Sequence, residues 1–282
     1  MVGIYSSGED RDRFAARARE APADEGRGAP ADSWVSCAFA PLTAGPVKGK
    51  LTLPPGRTVG PGELGMFADV GLGRAVLAHL GLRGNIRTAN LRLDLTGRCP
   101  SRSCLVLTAE AQGTCGYYLT TGEIRSVTGE LIARCCGQFV VLPGIVSQPA
   151  KPFGPDTPRL EPYQDLGPVV DLRIALSGES GWATFRADRM IANRHGMVHG
   201  GILLSVLQEA LTSVTSALTG VPAPRLLSCT IEYYRGVPVD DQRVRLEAGV
   251  DHAGRRIMAA SGRLHAMDGR LLTSVRGTFA TR

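Results

Sequence analysis

Two stretches of the chain, 140 positions apart, share one skeleton: "GELIARCCGQF" from Gly129 to Phe139 and "GRLLTSVRGTF" from Gly269 to Phe279. Glycine, leucine, glycine and phenylalanine recur in register, which predicts a duplicated unit of about 140 residues. A duplication is a strong constraint, because the 282-residue chain must then be two copies of one architecture. The earlier segments fit it. Each half has one long helix candidate, about 61 to 81 and about 200 to 218. In the second, Ile202, Leu203, Val206, Ala210 and Val214 fall near helical spacing and predict one buried face.

Alternating segments follow each helix: "TANLRLDLTG", "CLVLTAEAQ" and "LIARCCGQFVVLP" in the first half, and "LLSCTIEYYRG", "QRVRLEAGV", "RIMAASGRLHA" and "LLTSVRGTFA" in the second. An extended stretch precedes each helix, "VKGKLTLP" and "GWATFRAD". The unit reads as a strand, a long central helix and a run of antiparallel strands. A single amphipathic helix needs the sheet to curl around it, which places the chain in the α+β class. Joining two such units edge to edge would hide a strand edge in each. The expected organisation is an N-terminal extension over 1–30, a first repeat over 31–143, a proline-rich linker over 144–166 and a second repeat over 167–282.

Composition narrows the function classes. A formal charge of +6 suits a polyanionic small ligand. The arginines are scattered without interleaved aromatics, so no nucleic-acid partner is expected. The seven cysteines (37, 99, 104, 115, 135, 136 and 229) lack zinc-ligand spacing, and no metal is expected. "GLGRAV" lacks the full dinucleotide fingerprint and lies inside a helix pattern, so no cofactor is expected. The N-terminus has no apolar signal core, and no run of about 18 uncharged apolar residues exists to span a membrane. With an odd cysteine count, this points to a reducing, cytoplasmic setting.

The chemistry concentrates in "NRHGMVHGG", residues 193 to 201, immediately ahead of the second helix candidate. This Asn-x5-His-Gly-Gly pattern leading into an amphipathic helix resembles the acyl-CoA thioesterases of the hotdog fold, in particular the phenylacetate-degradation (PaaI) type. The resemblance implies a tandem double hotdog, each unit a central helix wrapped by an antiparallel sheet. It also implies a site shared between two units, built from the Asn and His-Gly-Gly loop of one and an acidic helix residue of the other. That acid lies nine positions after the family's histidine, and a Ser or Thr opens the next strand.

Both halves depart from the family pattern. Nine positions after His199 stands Gln208; Glu209 comes one position late, about 100° further around the helix. In the first half the loop is lost, with Pro54, Gly60 and Gly62 opposite Asn193, His199 and Gly201. However, Asp69 falls at the acidic position, and Thr88 at the Ser/Thr position with Ser228 as its rough counterpart. The two defects are complementary. The expected site is therefore one composite of Asp69 and Thr88 with Asn193, His199 and Gly200, with Gly200 and Gly201 also binding substrate. The other composite, Pro54, Gly60, Gln208 and Ser228, has neither acid nor histidine.

The activity implied is hydrolysis of an acyl-CoA to the free acid and CoA. The Gly200 amide at a helix N-terminus would hold the oxyanion, and Asp69 would act as general base or nucleophile. Asn193 and His199 would hold the carbonyl or a water, or position the loop, and Thr88 would bind Asp69 or the attacking water. His195 reads as a loop residue. A non-catalytic acyl-CoA binder is the alternative, and a hotdog hydratase is disfavoured by the lack of its closely spaced Asp and His. The resemblance leaves open the acyl group and any further association of double units into a homo-oligomer.

Overall fold

The computed structural model describes residues 29–41, 45–81, 85–96, 104–142, 153 and 157–281. Most of the expected N-terminal extension, the first part of the linker and Cys99 lie outside the described residues. Twelve antiparallel strands form one continuous sheet in the order β1-β2-β4-β5-β6-β3-β9-β12-β11-β10-β8-β7. The first half supplies β1 (Cys37–Phe39), β2 (Val47–Thr52), β3 (Ile86–Leu95), β4 (Cys104–Thr114), β5 (Tyr117–Ser126) and β6 (Leu131–Val141). The second supplies β7 (Arg173–Ser177), β8 (Ser180–Arg186), β9 (Arg225–Tyr233), β10 (Arg243–Ala253), β11 (Ile257–Ala266) and β12 (Leu271–Ala280).

The halves join where β3 pairs β9, over Asn90–Asp94 against Ser228–Glu232. Leu91 and Ile231, which are 140 positions apart, face each other there. Equivalent positions can meet in this way only if a local two-fold axis passes between them. The strand order reads outward identically on both sides, so each unit covers one edge of the other and only the short β1 and β7 remain as edges.

The repeated skeleton has a structural cause at each position. Gly129 and Gly269 sit at φ +88° and +85° in the hairpin turns before β6 and β12, a left-handed conformation that favours glycine. Leu131 and Leu271 open the strands. A Cβ on Gly137 would come within 2.9 Å of the Asn90 carbonyl oxygen, and one on Gly277 within 2.8 Å of the Phe279 ring. Phe139 and Phe279 are fully buried, each contributing about 1.5–3 kcal/mol by burial.

The two central helices, Pro61–Leu80 and Gly200–Thr219, lie side by side on the concave face of the sheet. The first starts with Pro61 after Gly60, whose N–H is bound by Glu63 at 2.9 Å. Left-handed Gly81 and Gly220 end the two helices. The second helix is long and apolar enough for a membrane span, but most of it is buried here. The helices touch through small residues: the Ser205 hydroxyl donates to the Gly62 carbonyl at 2.9 Å, and a Cβ on Gly201 would lie 2.6 Å from the Met66 Cα. This close crossing sets the N-terminus of each helix against the middle of the other.

The proline-rich segment departs from the sequence reading in its second part. From residue 157 onward it packs as part of the core, with Leu160, Tyr163 and Leu166 buried. Trp34 donates through Nε1 to the Gln164 carbonyl at 2.8 Å, and the Ser33 hydroxyl to that of Leu160 at 2.7 Å. Its anchors are spaced irregularly, so periodicity does not reveal them.

Candidate active site

The helix crossing brings residues more than a hundred positions apart into one cluster. Asp69, near the middle of the first central helix, is 6% exposed. Its Oδ2 accepts from the Gly201 N–H at 2.8 Å, and its Oδ1 from the Thr88 hydroxyl at 2.9 Å. Both carboxylate oxygens are thus oriented, one by the partner repeat and one by the start of β3. The His199 Nδ1 lies 3.5 Å from Oδ2. The Gly201 N–H is shared between that nitrogen, at 3.2 Å, and Asp69. The shorter, charge-assisted arm to the carboxylate is the stronger. His199 is therefore both the N-cap of the second helix and a neighbour of the carboxylate.

Gly200 opens that helix, and its N–H donates to no described group, as expected for a first-turn amide. A Cβ here would stand 2.8 Å from Asp69 Oδ2, so the close approach requires glycine. The Gly201 N–H, by contrast, is engaged by Asp69.

Asn193 serves the loop. Its Oδ1 accepts from the N–H groups of His195 at 2.8 Å and Met197 at 3.2 Å, and its own N–H donates to the Met197 carbonyl at 2.7 Å. Of the roles the sequence offers for Asn193, loop positioning has direct contacts behind it. His195 stays in the loop beside Arg194.

Two further features escaped sequence reasoning. Tyr233, at the end of β9, donates its hydroxyl to the Gly200 carbonyl at 2.7 Å. Burial, with the Asp69 carboxylate and Cys229 nearby, pushes this phenol well above its usual range, so it remains a neutral donor. The period-2 alternation Cys229, Ile231, Tyr233 was the available signal. The second feature is electrostatic. Burial, and then the charge of Arg194, lower the Arg87 pKa. Arg87 stands next to Thr88 and Arg194 next to Asn193, so the two repeats set like charges against each other beside the cluster.

The symmetry-related place is built differently. Gln208 is 7% exposed, and its buried Oε1 has no partner among the described residues. Glu209 does not fill the acidic position: it faces the 165–169 segment, where a Cβ on Gly167 would lie 3.2 Å from its Oε1. Partial burial and Asp165 raise its pKa. Among the described residues no group of three His, Cys, Asp or Glu side chains converges to hold a metal ion.

Residues 195–273 match the model of the thioesterase superfamily. No match is found among curated protein sequences. Solved structures similar to the chain along most of its length include the tesB protein of Mycobacterium avium subs. paratuberculosis (14% identity, TM-score 0.62, covering 86% of this chain and 95% of that one). Acyl-CoA thioesterase II of Mycobacterium marinum is 18% identical at a TM-score of 0.58, covering 87% and 94%. The 12:0-ACP thioesterase of Umbellularia californica is 12% identical at 0.55, covering 87% and 94%. At these identities the likeness establishes the fold, and the chain is a tandem double hotdog.

Proposed function

We propose that this double hotdog is a thioesterase that hydrolyses an acyl-CoA to the free acid and CoA at a single composite site between its repeats. The observation that carries the reading is the Asp69 carboxylate, held 2.8 Å from the Gly201 N–H of the other repeat and beside the free amide of Gly200. An acid and an oxyanion donor side by side are what acyl transfer to water needs.

In this reading the thioester carbonyl docks on the Gly200 N–H, where the helix dipole favours developing negative charge. Asp69 takes a proton from water, and the resulting hydroxide attacks the carbonyl carbon. The tetrahedral intermediate collapses by breaking the C–S bond, and the departing thiolate takes the proton held on Asp69, which releases CoA and restores the carboxylate. The hydrogen bonds from Thr88 and Gly201 hold both carboxylate oxygens in place beside the Gly200 amide. His199 holds the loop against the carboxylate, and Tyr233 fixes the Gly200 peptide through its carbonyl. Arg87 and Arg194 suit the phosphates of CoA. The Asn-x5-His-Gly-Gly spacing supports a loop of the phenylacetate-degradation type carried on a fused chain.

The test is release of free thiol from acyl-CoAs of aromatic, medium-chain and long-chain type. Hydrolysis of at least one, abolished by Asp69→Asn, is expected; tight binding of acyl-CoA without thiol release would establish the binder instead. Single turnover in ¹⁸O-labelled water should place label in the product acid and none in the Asp69 carboxylate.

A further inference from the structure

The Gly200 carbonyl and the Gly201 N–H belong to one planar peptide unit. Through its oxygen that unit accepts from the Tyr233 hydroxyl at 2.7 Å, and through its nitrogen it donates to Asp69 Oδ2 at 2.8 Å. A single chain of hydrogen bonds therefore runs from the phenol at the end of β9, through the opening peptide of the second central helix, to the carboxylate of the other repeat. Its members crowd around one residue: a Cβ on Gly200 would meet Asp69 Oδ2 at 2.8 Å and the Tyr233 hydroxyl at 3.5 Å.

A carbonyl that accepts a hydrogen bond draws charge from its nitrogen, so the N–H becomes a stronger donor, by about 10–30% per bond in a chain of this kind. The peptide is also flanked by glycines, whose backbone turns with little steric resistance. Its N–H has a second acceptor within reach, His199 Nδ1 at 3.2 Å, so its orientation decides which of the two it serves. Fastening the carbonyl to Tyr233 removes that freedom. Burial, and then Asp69 and Cys229, hold the phenol well above its usual range, which keeps the hydroxyl a donor.

The other end of the helix crossing differs at each member of this chain. Leu95 ends β3 as Tyr233 ends β9, and it lines the open cavity at the start of the first central helix. Pro61, which has no N–H, opens that helix as Gly200 opens the second, and Gln208 stands in place of the carboxylate. The phenol is thus present where the acid and the amide are, and a leucine stands where both are gone.

We infer that Tyr233 is a positioning residue for the hydrolysis: through the Gly200–Gly201 peptide it fixes and polarises the N–H that holds the Asp69 carboxylate. The catalytic consequence rests on the thioesterase reading above; the hydrogen-bond chain does not.

Gly200–Gly201 is the single Gly-Gly step in the sequence. In intact protein labelled with [1-¹³C,¹⁵N]glycine it therefore gives the one ¹³C′–¹⁵N correlation between glycines, which reports the Gly200 carbonyl and the Gly201 amide together. Tyr233→Phe should move both the carbonyl carbon and the amide proton upfield. Installing 3-fluorotyrosine at position 233, a stronger donor of nearly the same shape, should move both downfield. In thiol release, Tyr233→Phe should lower kcat about tenfold, as for loss of one hydrogen bond, with KM unchanged, and 3-fluorotyrosine should retain the full rate. An amide proton that stays in place while Tyr233→Phe shifts the carbonyl carbon overturns the relay, and so does a loss carried by KM alone. No thiol release by the wild type would overturn the thioesterase reading and the catalytic role with it, while the two shifts would still decide the hydrogen-bond chain.

Discussion

The two ends of the helix crossing share one geometry and differ in chemistry. At one end, the N-terminus of the second helix meets Asp69, and each carboxylate oxygen accepts a hydrogen bond. At the other, the N-terminus of the first helix meets Gln208, whose side-chain oxygen has no partner among the described residues. A symmetric dimer of identical units would carry the same residues at both places. Fusion of the units releases that constraint, so each repeat can lose the half that the other retains. The architecture survives the loss because it depends on Gly62, Gly201 and Ser205 at the crossing rather than on the polar groups.

The comparison can be broken at several points. After Asp69→Asn, Gly200→Ala should have the largest effect: its Cβ would stand 2.8 Å from Asp69 Oδ2 and push the carboxylate away from the oxyanion position. We expect kcat to fall about 10²-fold, the magnitude for displacing a reacting group by roughly 1 Å, with an unchanged circular-dichroism spectrum. Next, Arg194→Ala should raise KM for acyl-CoA roughly tenfold, which corresponds to about 1.4 kcal/mol. It should leave KM for the matching acyl-N-acetylcysteamine, which has no phosphate, unaltered. Equal effects on both substrates would remove the phosphate contact from the account.

A smaller effect is alkaline and lies in the sheet. Burial pushes Cys135, on β6, and Cys229, on β9 beneath the Asp69 site, from 9.0 to about 12. The unfolded chain loses these protons first, so stability should be full below pH 9 and fall as pH rises from 9 toward 12. Urea midpoints across that range measure it; Cys229→Ala should flatten the slope. The smallest effect is a null. Adding Gln208→Asp to Asp69→Asn should restore no thiol release, because Gly60 and Pro54 offer the new carboxylate no histidine or asparagine.

The duplication, both central helices and most strands were legible because they rest on local periodicity and turn chemistry. Gly129 and Gly269 recur because the hairpins demand positive φ, and that demand is written at the position itself. The edge strands β1 and β7 were missed, being three and five residues long, too short for alternation to register, and β5 was missed although it is ten residues long. The packing of Leu160 and Tyr163 was missed because it depends on Trp34 and its neighbours, far off in sequence. Asp69 could be linked to the loop at 193–201 through the complementary departures of the two halves from one pattern. Tyr233 had only its place in the alternation of β9, and the Arg87 and Arg194 pair had no pattern, since only the closed fold brings them to the site.

The central claim is that Asp69 and the His199 loop serve one reaction centre across the repeat boundary. A double-mutant cycle on kcat/KM for thiol release, with Asp69→Asn, His199→Ala and the combined variant, tests it most directly. The account predicts a loss of about 10³-fold or more for Asp69→Asn, a smaller loss for His199→Ala, and a combined loss close to that of Asp69→Asn alone, as for groups that act as a unit. Losses that simply multiply, or an Asp69→Asn enzyme that retains its rate, would contradict it.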